Sequence, residues 1–403
     1  MEVETRMMAA NTEASPKRVR VAMIASLTFS LVNFRLELLR SLVRSGCEVY
    51  ALAPDDDPES IAKLEESGVR FRRISMERAG TGLFADIKTL RSINTEFKSI
   101  RPDIVLPYTM KPVIYAGIAA RMANIPKRYA LITGLGYVFT GGNPNFKKKL
   151  LRKISILLYR SALKNADRVF IYNKTDSEIF RSLDIVTSEN SMLVPGSGID
   201  TRHFNESAPP DGPPVFLLIA RLLKDKGIRE YVEAARILHA KYPESKLQLL
   251  GPFDPNPAAI SKEEVEEWTA SGAIEYLGEA KDVRPYLRGC SVLVLPSYRE
   301  GIPRTVLEAM STGRAVVTTD APGCVDTVAD GETGFIVPVS DSIALAGAME
   351  KFITTPSLIS EMGVRARQRA VDCYDVHVVN RILIEEMGLP YVPPVDSHRE
   401  AVC

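Results

Sequence analysis

Two glutamates eight residues apart, Glu300 and Glu308, stand in the segment Pro296-Ser297-Tyr298-Arg299-Glu300-Gly301-Ile302-Pro303-Arg304-Thr305-Val306-Leu307-Glu308-Ala309-Met310. The apolar run Val292–Leu295 precedes it directly. A buried strand, a loop and then a helix would set both carboxylates at one end of a sheet. Gly301 lets backbone approach a ligand closely, and Pro303 suits a helix start. The free N–H groups of that first turn, around Ile302, Arg304 and Thr305, form an anion site. Within the helix, Glu308 could accept two hydroxyls of a ribose. Glu300, in the loop, suits the hydroxyls of a sugar lying beyond the phosphates. The spacing alone also fits two solvated glutamates; the strand-loop-helix setting favours the ligand reading.

A second cluster is Ala220-Arg221-Leu222-Leu223-Lys224-Asp225-Lys226-Gly227, immediately after the apolar run Val215–Ile219. Arg221 and Lys226 in a strand-to-helix loop could offset the charge that a diphosphate leaving group develops. A surface loop with solvated lysines is the plainer alternative. Asp55-Asp56-Asp57 could suggest a metal site, yet its place before Pro58 reads as a helix-capping turn. The four histidines are dispersed and the five cysteines have no ligand spacing, so a zinc site or a Ser/His/Asp hydrolase has little support. Gly134-Leu135-Gly136 lacks the flanking pattern of a dinucleotide site.

The elements that must position these residues follow from alternation. Strands are expected at Val19–Ala25, Glu48–Ala53, Val69–Ile74, Ile104–Leu106, Tyr129–Thr133 and Val169–Tyr172, with helices at Phe34–Ser45, Glu59–Ser67 and Phe84–Ile100 between them. After Pro209-Pro210-Asp211-Gly212-Pro213-Pro214, read as a hinge, the alternation restarts and closes with helices near 341–353, 357–374 and 376–387. Strand-helix alternation implies parallel sheets covered on both faces, with ligands at the carboxyl ends of the strands. The expected division is a polar, disordered leader over 1–17, an N-terminal domain over 18–196 and a second domain over 200–374. A last helix, 376–388, is expected to return to the first domain.

Composition agrees with a folded chain: 403 residues, 45% hydrophobic and 25% charged, exclude a disordered or disulfide-stapled chain. No run of eighteen apolar residues is present, which excludes a spanning helix. Net charge is +1, but residues 1–200 hold 30 Lys and Arg against 21 Asp and Glu, so the first half carries the excess of positive charge. Much of it lies in Phe146–Arg168, where Lys147, Lys148, Lys149, Arg152, Lys153, Arg160, Lys164 and Arg168 face a single acid, Asp167. On a helical wheel Leu150, Leu151, Ile154, Leu157, Leu158 and Ser161 share one arc and most cations the opposite one. The expectation is an apolar arc packed on the core and a basic face for an anionic membrane or a lipid diphosphate. Only Tyr159 interrupts the stripe with an aromatic ring, so nucleic acid is not an expected partner.

The Arg221/Lys226 pair, the E-x7-E element Glu300/Glu308 and Gly323-Cys324-Val325-Asp326 with Asp330-Gly331-Glu332-Thr333-Gly334-Phe335-Ile336-Val337-Pro338 together resemble glycosyltransferase family 4, retaining enzymes with the GT-B fold. The resemblance implies two doubly wound Rossmann-like α/β domains facing a cleft, with a nucleotide-sugar donor held mainly by the second. Arg221 and Lys226 would hold the diphosphate, Glu308 the ribose and Glu300 the transferred sugar. Asn33-Phe34-Arg35, Lys111-Pro112, Tyr115-Ala116-Gly117 and Gly134-Leu135-Gly136-Tyr137-Val138-Phe139-Thr140 are similar to a branch that extends glycans on undecaprenyl diphosphate, N-acetylgalactosaminyltransferases among them. A glycine pair after the first strand and a histidine near Tyr108–Lys111, present in many family members, are absent here.

The resemblance therefore implies retaining, metal-independent transfer of a hexosamine, N-acetylgalactosamine from UDP-GalNAc, to a polyprenyl-diphosphate-linked saccharide. Asn33, Lys111, Lys148, Lys149 and Arg152 are the expected acceptor and lipid contacts. No cofactor is expected beyond the donor, and the expected location is cytoplasmic, peripheral on the inner face of the plasma membrane. A transferase with a soluble acceptor, a GT-B UDP-sugar 2-epimerase and a non-catalytic scaffold remain as alternatives.

Overall fold

The computed structural model describes residues 18–77, 82–135, 139, 146–256 and 258–395. The first half contains β1 (Arg20–Ile24), α1 (Thr28–Arg44), β2 (Glu48–Ala53), α2 (Pro58–Glu66), β3 (Val69–Arg73), α3 (Leu83–Ile100), β4 (Ile104–Pro107), α4 (Met110–Met122), β5 (Lys127–Ile132), α5 (Phe146–Leu163), β6 (Arg168–Ile171), α6 (Lys174–Ser182) and β7 (Ser191–Leu193). Its seven strands are all parallel, in the order β3-β2-β1-β4-β5-β6-β7. The second half follows with β8 (Val215–Ile219), α7 (Ile228–His239), β9 (Lys246–Leu250), α8 (Lys262–Ala270), β10 (Glu275–Tyr276), α9 (Arg284–Gly289), β11 (Val292–Leu295), α10 (Arg304–Ser311), β12 (Ala315–Thr319), β13 (Gly334–Val337), α11 (Ser342–Thr354), α12 (Ser357–Arg369) and α13 (Val376–Glu386). Six parallel strands in the order β10-β9-β8-β11-β12-β13 form its sheet.

Both central strands, β1 and β8, are buried over nearly their whole length, as strands covered on two faces must be. Each sheet has an apolar cluster on either side. Val379, Leu383, Ile384 and Met387 of α13 join the cluster formed by Leu31, Leu38 and Leu42 of α1, so the last helix lies on the first domain. Asp57 caps α2 through the Ser60 N–H. Asp55 accepts the Thr28 N–H at 2.8 Å and so closes the start of α1 from a loop 27 residues away. That distant cap lets α1 begin at Thr28, six residues before the start expected from sequence.

The crossover between domains differs from the proline-rich segment expected to be the hinge. Phe204, ahead of those prolines, already packs in the second domain. The buried Arg314 guanidinium also donates to the carbonyls of Ser207 and Ala208 there. The chain crosses at Gly196–Ile199 and returns at Tyr374–Val376, and the two strands of the crossing are zipped together. Ile199 N–H donates to Tyr374 O at 2.8 Å, and Val376 N–H to Ile199 O at 2.9 Å. A π-helical segment, Ala370–Tyr374, turns the chain between α12 and α13.

The face of α5 is a second correction. Leu150, Ile154 and Leu157, expected against the core, are exposed. The buried side is Ser155, Tyr159, Ala162 and Leu163. The reason is a close helix crossing: a Cβ on Gly117 of α4 would lie 2.8 Å from the Ala162 carbonyl oxygen. Small residues, more than large ones, decide which side of α5 meets α4.

Candidate functional site

Loops at the carboxyl ends of the second sheet converge with the same edge of the first. The β8–α7 loop carries Arg221 and Lys226. Its last residue, Gly227, has φ +69°, and a Cβ there would sit 2.0 Å from the Pro296 carbonyl oxygen. Only glycine permits that approach, which brings Lys226 beside the β11–α10 loop. The Lys226 ammonium donates to Glu300 Oε1 at 2.5 Å, and Ser297 Oγ donates to the same oxygen at 2.8 Å. Both charged side chains are largely buried. The loop is also held from behind, where Glu300 N–H donates to Pro322 O at 2.9 Å. A Cβ on Gly323 would lie 2.4 Å from the carbonyls of Glu300 and Gly301.

Glu308 is buried on α10 and accepts from Arg304 Nε at 3.0 Å. Burial raises its carboxyl above the ordinary carboxylate range, and the Arg304 charge works against that rise. Arg304 continues across to the first domain: its guanidinium donates to the Asn33 carbonyl and lies 5.3 Å from the centre of the Phe34 ring. Pro303 occupies the N-cap position of α10, one residue before the helix start expected for it, and no side chain caps that end. Thr305 lies in the first turn of α10 behind it. Ile302 packs against Gly196 and bridges apolar clusters of both domains.

The structure gives Gly301 a different reason from the one expected. A Cβ there would lie 2.0 Å from the Thr133 carbonyl oxygen, so glycine is required by the first domain itself. Sequence reasoning missed the polar clamp around this contact. Asn173 Nδ2 donates to Gly301 O at 3.1 Å, and the Arg299 guanidinium binds the buried Asp176 carboxylate. Burial raises the Asp176 carboxyl and the Arg299 charge opposes it. The partners are more than a hundred residues apart, and Asn173 itself caps α6, which gives it an ordinary local role.

Arg221 stands apart from Lys226 in pairing: its Nη1 donates to Asp254 Oδ2 at 2.8 Å, and its side chain is more than half exposed. Lys111 donates to the Glu77 carbonyl at 2.9 Å and lies 3.6 Å from Asp86. Asn33, Lys149 and Arg152 are exposed. The side chain of Lys148 lies outside the described residues, as do Gly136, Tyr137, Val138 and Thr140 of the glycine-aromatic motif and the 1–17 leader.

Such an arrangement can hold a polyhydroxylated ligand with an anionic end. Carboxylates at Glu300 and Glu308 supply acceptors for hydroxyls, Lys226 and Arg304 supply the positive charge paired to each, and the first turn of α10 has backbone N–H groups with no side-chain cap. Cys324, buried beside this loop, has its thiol pushed up to about 12 by burial, with Glu300 adding to the rise, so it is no nucleophile.

Comparison with known proteins places both halves. The description "Glycosyl transferases group 1" matches residues 200–369, and "Glycosyl transferase 4-like" matches residues 21–173. The N,N'-diacetylbacillosaminyl-diphospho-undecaprenol alpha-1,3-N-acetylgalactosaminyltransferase of Campylobacter jejuni is 28% identical over 375 residues, covering 90% of this chain and 96% of that protein. The UDP-Gal:alpha-D-GlcNAc-diphosphoundecaprenol alpha-1,3-galactosyltransferase of Escherichia coli is 23% identical, covering 85% and 92%. Among solved structures, HepE of Anabaena in complex with UDP and glucose superposes with a TM-score of 0.72 at 15% identity, over 92% of this chain and all of that one.

Proposed function

The chain is a glycosyltransferase with the GT-B fold, a member of the family whose two models span its two domains, and from that premise we propose that it transfers N-acetylgalactosamine from UDP-GalNAc, with retention, to a polyprenyl-diphosphate-linked sugar. The observation that carries the reading is the buried Lys226–Glu300–Ser297 group at the end of β11, braced against the first domain through Arg299 and Asp176. In this reading Glu300 accepts hydroxyls of the transferred sugar while Lys226 and the α10 terminus meet the diphosphate. Arg221 joins them by leaving Asp254 for the phosphates. Glu308 takes the ribose hydroxyls.

The glycosidic carbon–oxygen bond breaks as negative charge builds on the departing diphosphate. That oxygen takes the proton of the attacking acceptor hydroxyl on the same face of the sugar, so the new bond forms where the old one broke. Positive charge already in place lowers the barrier without a strong protein base. Lys226 and Arg221 fill the role of phosphate counter-charge, and the reading needs no divalent metal.

The acceptor class rests on the two diphosphoundecaprenol-sugar transferases among the relatives and on the basic α5 of the first domain. A lipid-linked acceptor implies work at the inner surface of the plasma membrane, reached peripherally; among the described residues no helix is long and apolar enough to cross a membrane. The test is a panel of UDP-, GDP- and ADP-sugars offered with a short polyprenyl-diphosphate sugar and with free sugars. The expected product is the lipid-linked acceptor heavier by one N-acetylhexosamine, made from the UDP donor. Transfer to free sugars alone would reject the acceptor class.

A further inference from the structure

On α5 the side turned from the core is apolar and basic at once. Phe146 is 80% exposed, Leu150 50%, Ile154 44% and Leu157 63%. These positions recur every three or four residues and form one outward stripe. Lys149, Arg152, Lys153, Arg160 and Lys164 are exposed beside it, and α5 has no acidic residue in its sequence. Among the described residues, Arg160 is the one of these with an ion pair, to Asp184 at 3.3 Å. Four large apolar side chains in line on a helix surface are far from the scattered singles that ordinary surfaces show.

The location adds meaning. Helices α3 and α5 flank α4 on one face of the first sheet. In a parallel sheet their first turns lie at the carboxyl ends of the strands, where the cleft opens. Phe146 begins α5 at that end. In the first turn of α3, Phe84 is 88% exposed.

We propose that the outward stripe of α5, with Phe84 of α3 as a second contact, inserts into the headgroup–acyl boundary of an anionic bilayer. The occupant is argued from charge: cations without acids alongside a continuous apolar stripe match an anionic lipid surface, and an apolar protein partner would have no use for the cations. The contact is then insertion anchored by charge, and it turns the cleft toward the membrane from which a lipid diphosphate would enter. It rests on the lipid-linked acceptor reading for its purpose, while the binding itself can be measured with no acceptor present.

The experiment is flotation of the full chain with vesicles of phosphatidylglycerol and phosphatidylethanolamine, and with neutral phosphatidylcholine vesicles, at low and high salt. Three proteins are compared: wild type, Leu150→Ser/Leu157→Ser, and Lys149→Ala/Arg152→Ala/Lys153→Ala. Wild type should float with anionic vesicles and keep part of that binding at high salt. The leucine variant should melt as wild type does, because both side chains face away from the core, and should lose the salt-resistant part. Partitioning should fall by about tenfold per leucine, the scale for withdrawing one such side chain from an apolar phase. The basic variant should lose binding at low salt and retain a weak, salt-independent remainder. Wild-type failure to float, or a leucine variant that floats undiminished, overturns the proposal. So does size-exclusion showing the stripe covered by a second copy, with wild type dimeric, the leucine variant monomeric and neither floating. Transfer to a short-chain, detergent-free acceptor separates the two readings. Its persistence in a non-floating protein would keep the function and discard the insertion. Its absence in a floating protein would do the reverse.

Discussion

Replacing Gly301 by alanine adds one methyl group where the two domains touch. The new Cβ would stand 2.0 Å from the Thr133 carbonyl oxygen, against the 3.0 Å below which real Cβ atoms are essentially never found, so the domains or the loop must give by about 1 Å. Held rigid, such overpacking costs about 1–3 kcal/mol. The contact lies between domains, however, and the cleft can open to relieve it. Opening by that distance stretches the 3.1 Å bond from Asn173 to the Gly301 carbonyl to about 4 Å, beyond hydrogen-bonding range. It also pulls Arg299 from Asp176. Glu300 sits between Arg299 and Gly301 and moves with them. A displacement near 1 Å at a positioning loop costs roughly a hundredfold in rate, whereas one lost hydrogen bond costs about 0.5–1.5 kcal/mol of stability. Gly301→Ala should therefore melt within a few degrees of wild type and lose about a hundredfold in kcat/KM, measured by transfer of radiolabelled sugar to the lipid-linked acceptor. Wild-type kinetics in a normally melting variant would refute the claim that the first domain positions Glu300.

Lys226→Ala should lower kcat by the equivalent of about 2–4 kcal/mol, the scale for one removed transition-state donor, with the melting temperature little changed; an unaltered kcat would remove Lys226 from the diphosphate site. Glu308→Ala should weaken UDP binding in calorimetric titration while kcat at saturating donor falls less, and an unchanged titration would end its ribose role. Turnover should persist in EDTA if, as proposed, Lys226 and Arg221 supply the counter-charge; a complete loss reversed by magnesium would contradict this. Asp176→Asn removes a buried carboxylate whose pKa is raised. Its ionised form is disfavoured in the fold, so in wild type it subtracts stability as pH rises from the unfolded value through the folded one. The variant should lack that pH-dependent loss, yet show a raised KM from the freed Arg299. A thermal stability profile identical to wild type across acidic pH would show that Asp176 does not titrate there.

Much of the fold is written locally. Strands β2, β8 and β11 have the bounds expected of them, because each is a largely apolar run punctuated by turn residues. Helix α4 has no such signature: it is apolar nearly all round, and Val113–Ala116 with Ala119 and Ala120 are buried, so no amphipathic period marks it. The start of α1 was hidden because its cap, Asp55, comes from another loop. Wheel arithmetic turned the inner face of α5 away from the observed one: Leu158 of the expected arc packs on the core, but the seam with α4 is built from Gly117 and Ala162, residues that weigh little in any hydrophobic count.

At the site, the meeting of Lys226 and Glu300 was legible, since each follows a buried strand of the second domain and loops at strand ends converge. The pairing of Arg221 with Asp254 was not, nor was that of Arg299 with Asp176. Each joins separate loops whose meeting only the packed sheets decide. Gly301 illustrates the limit: the missing side chain reads in sequence as room for a ligand, but the neighbour it accommodates is Thr133 of the other domain.

The most direct test is the anomeric configuration of the new linkage. The enzyme is incubated with UDP-GalNAc and a short polyprenyl-diphosphate sugar, and the purified product is examined by NMR at the glycosidic proton. The account predicts one N-acetylgalactosamine joined to the lipid-linked sugar in the configuration it had in the donor, with Lys226→Ala making far less of the same product. An inverted linkage, or release of the sugar to water with the lipid-linked acceptor untouched, would contradict it.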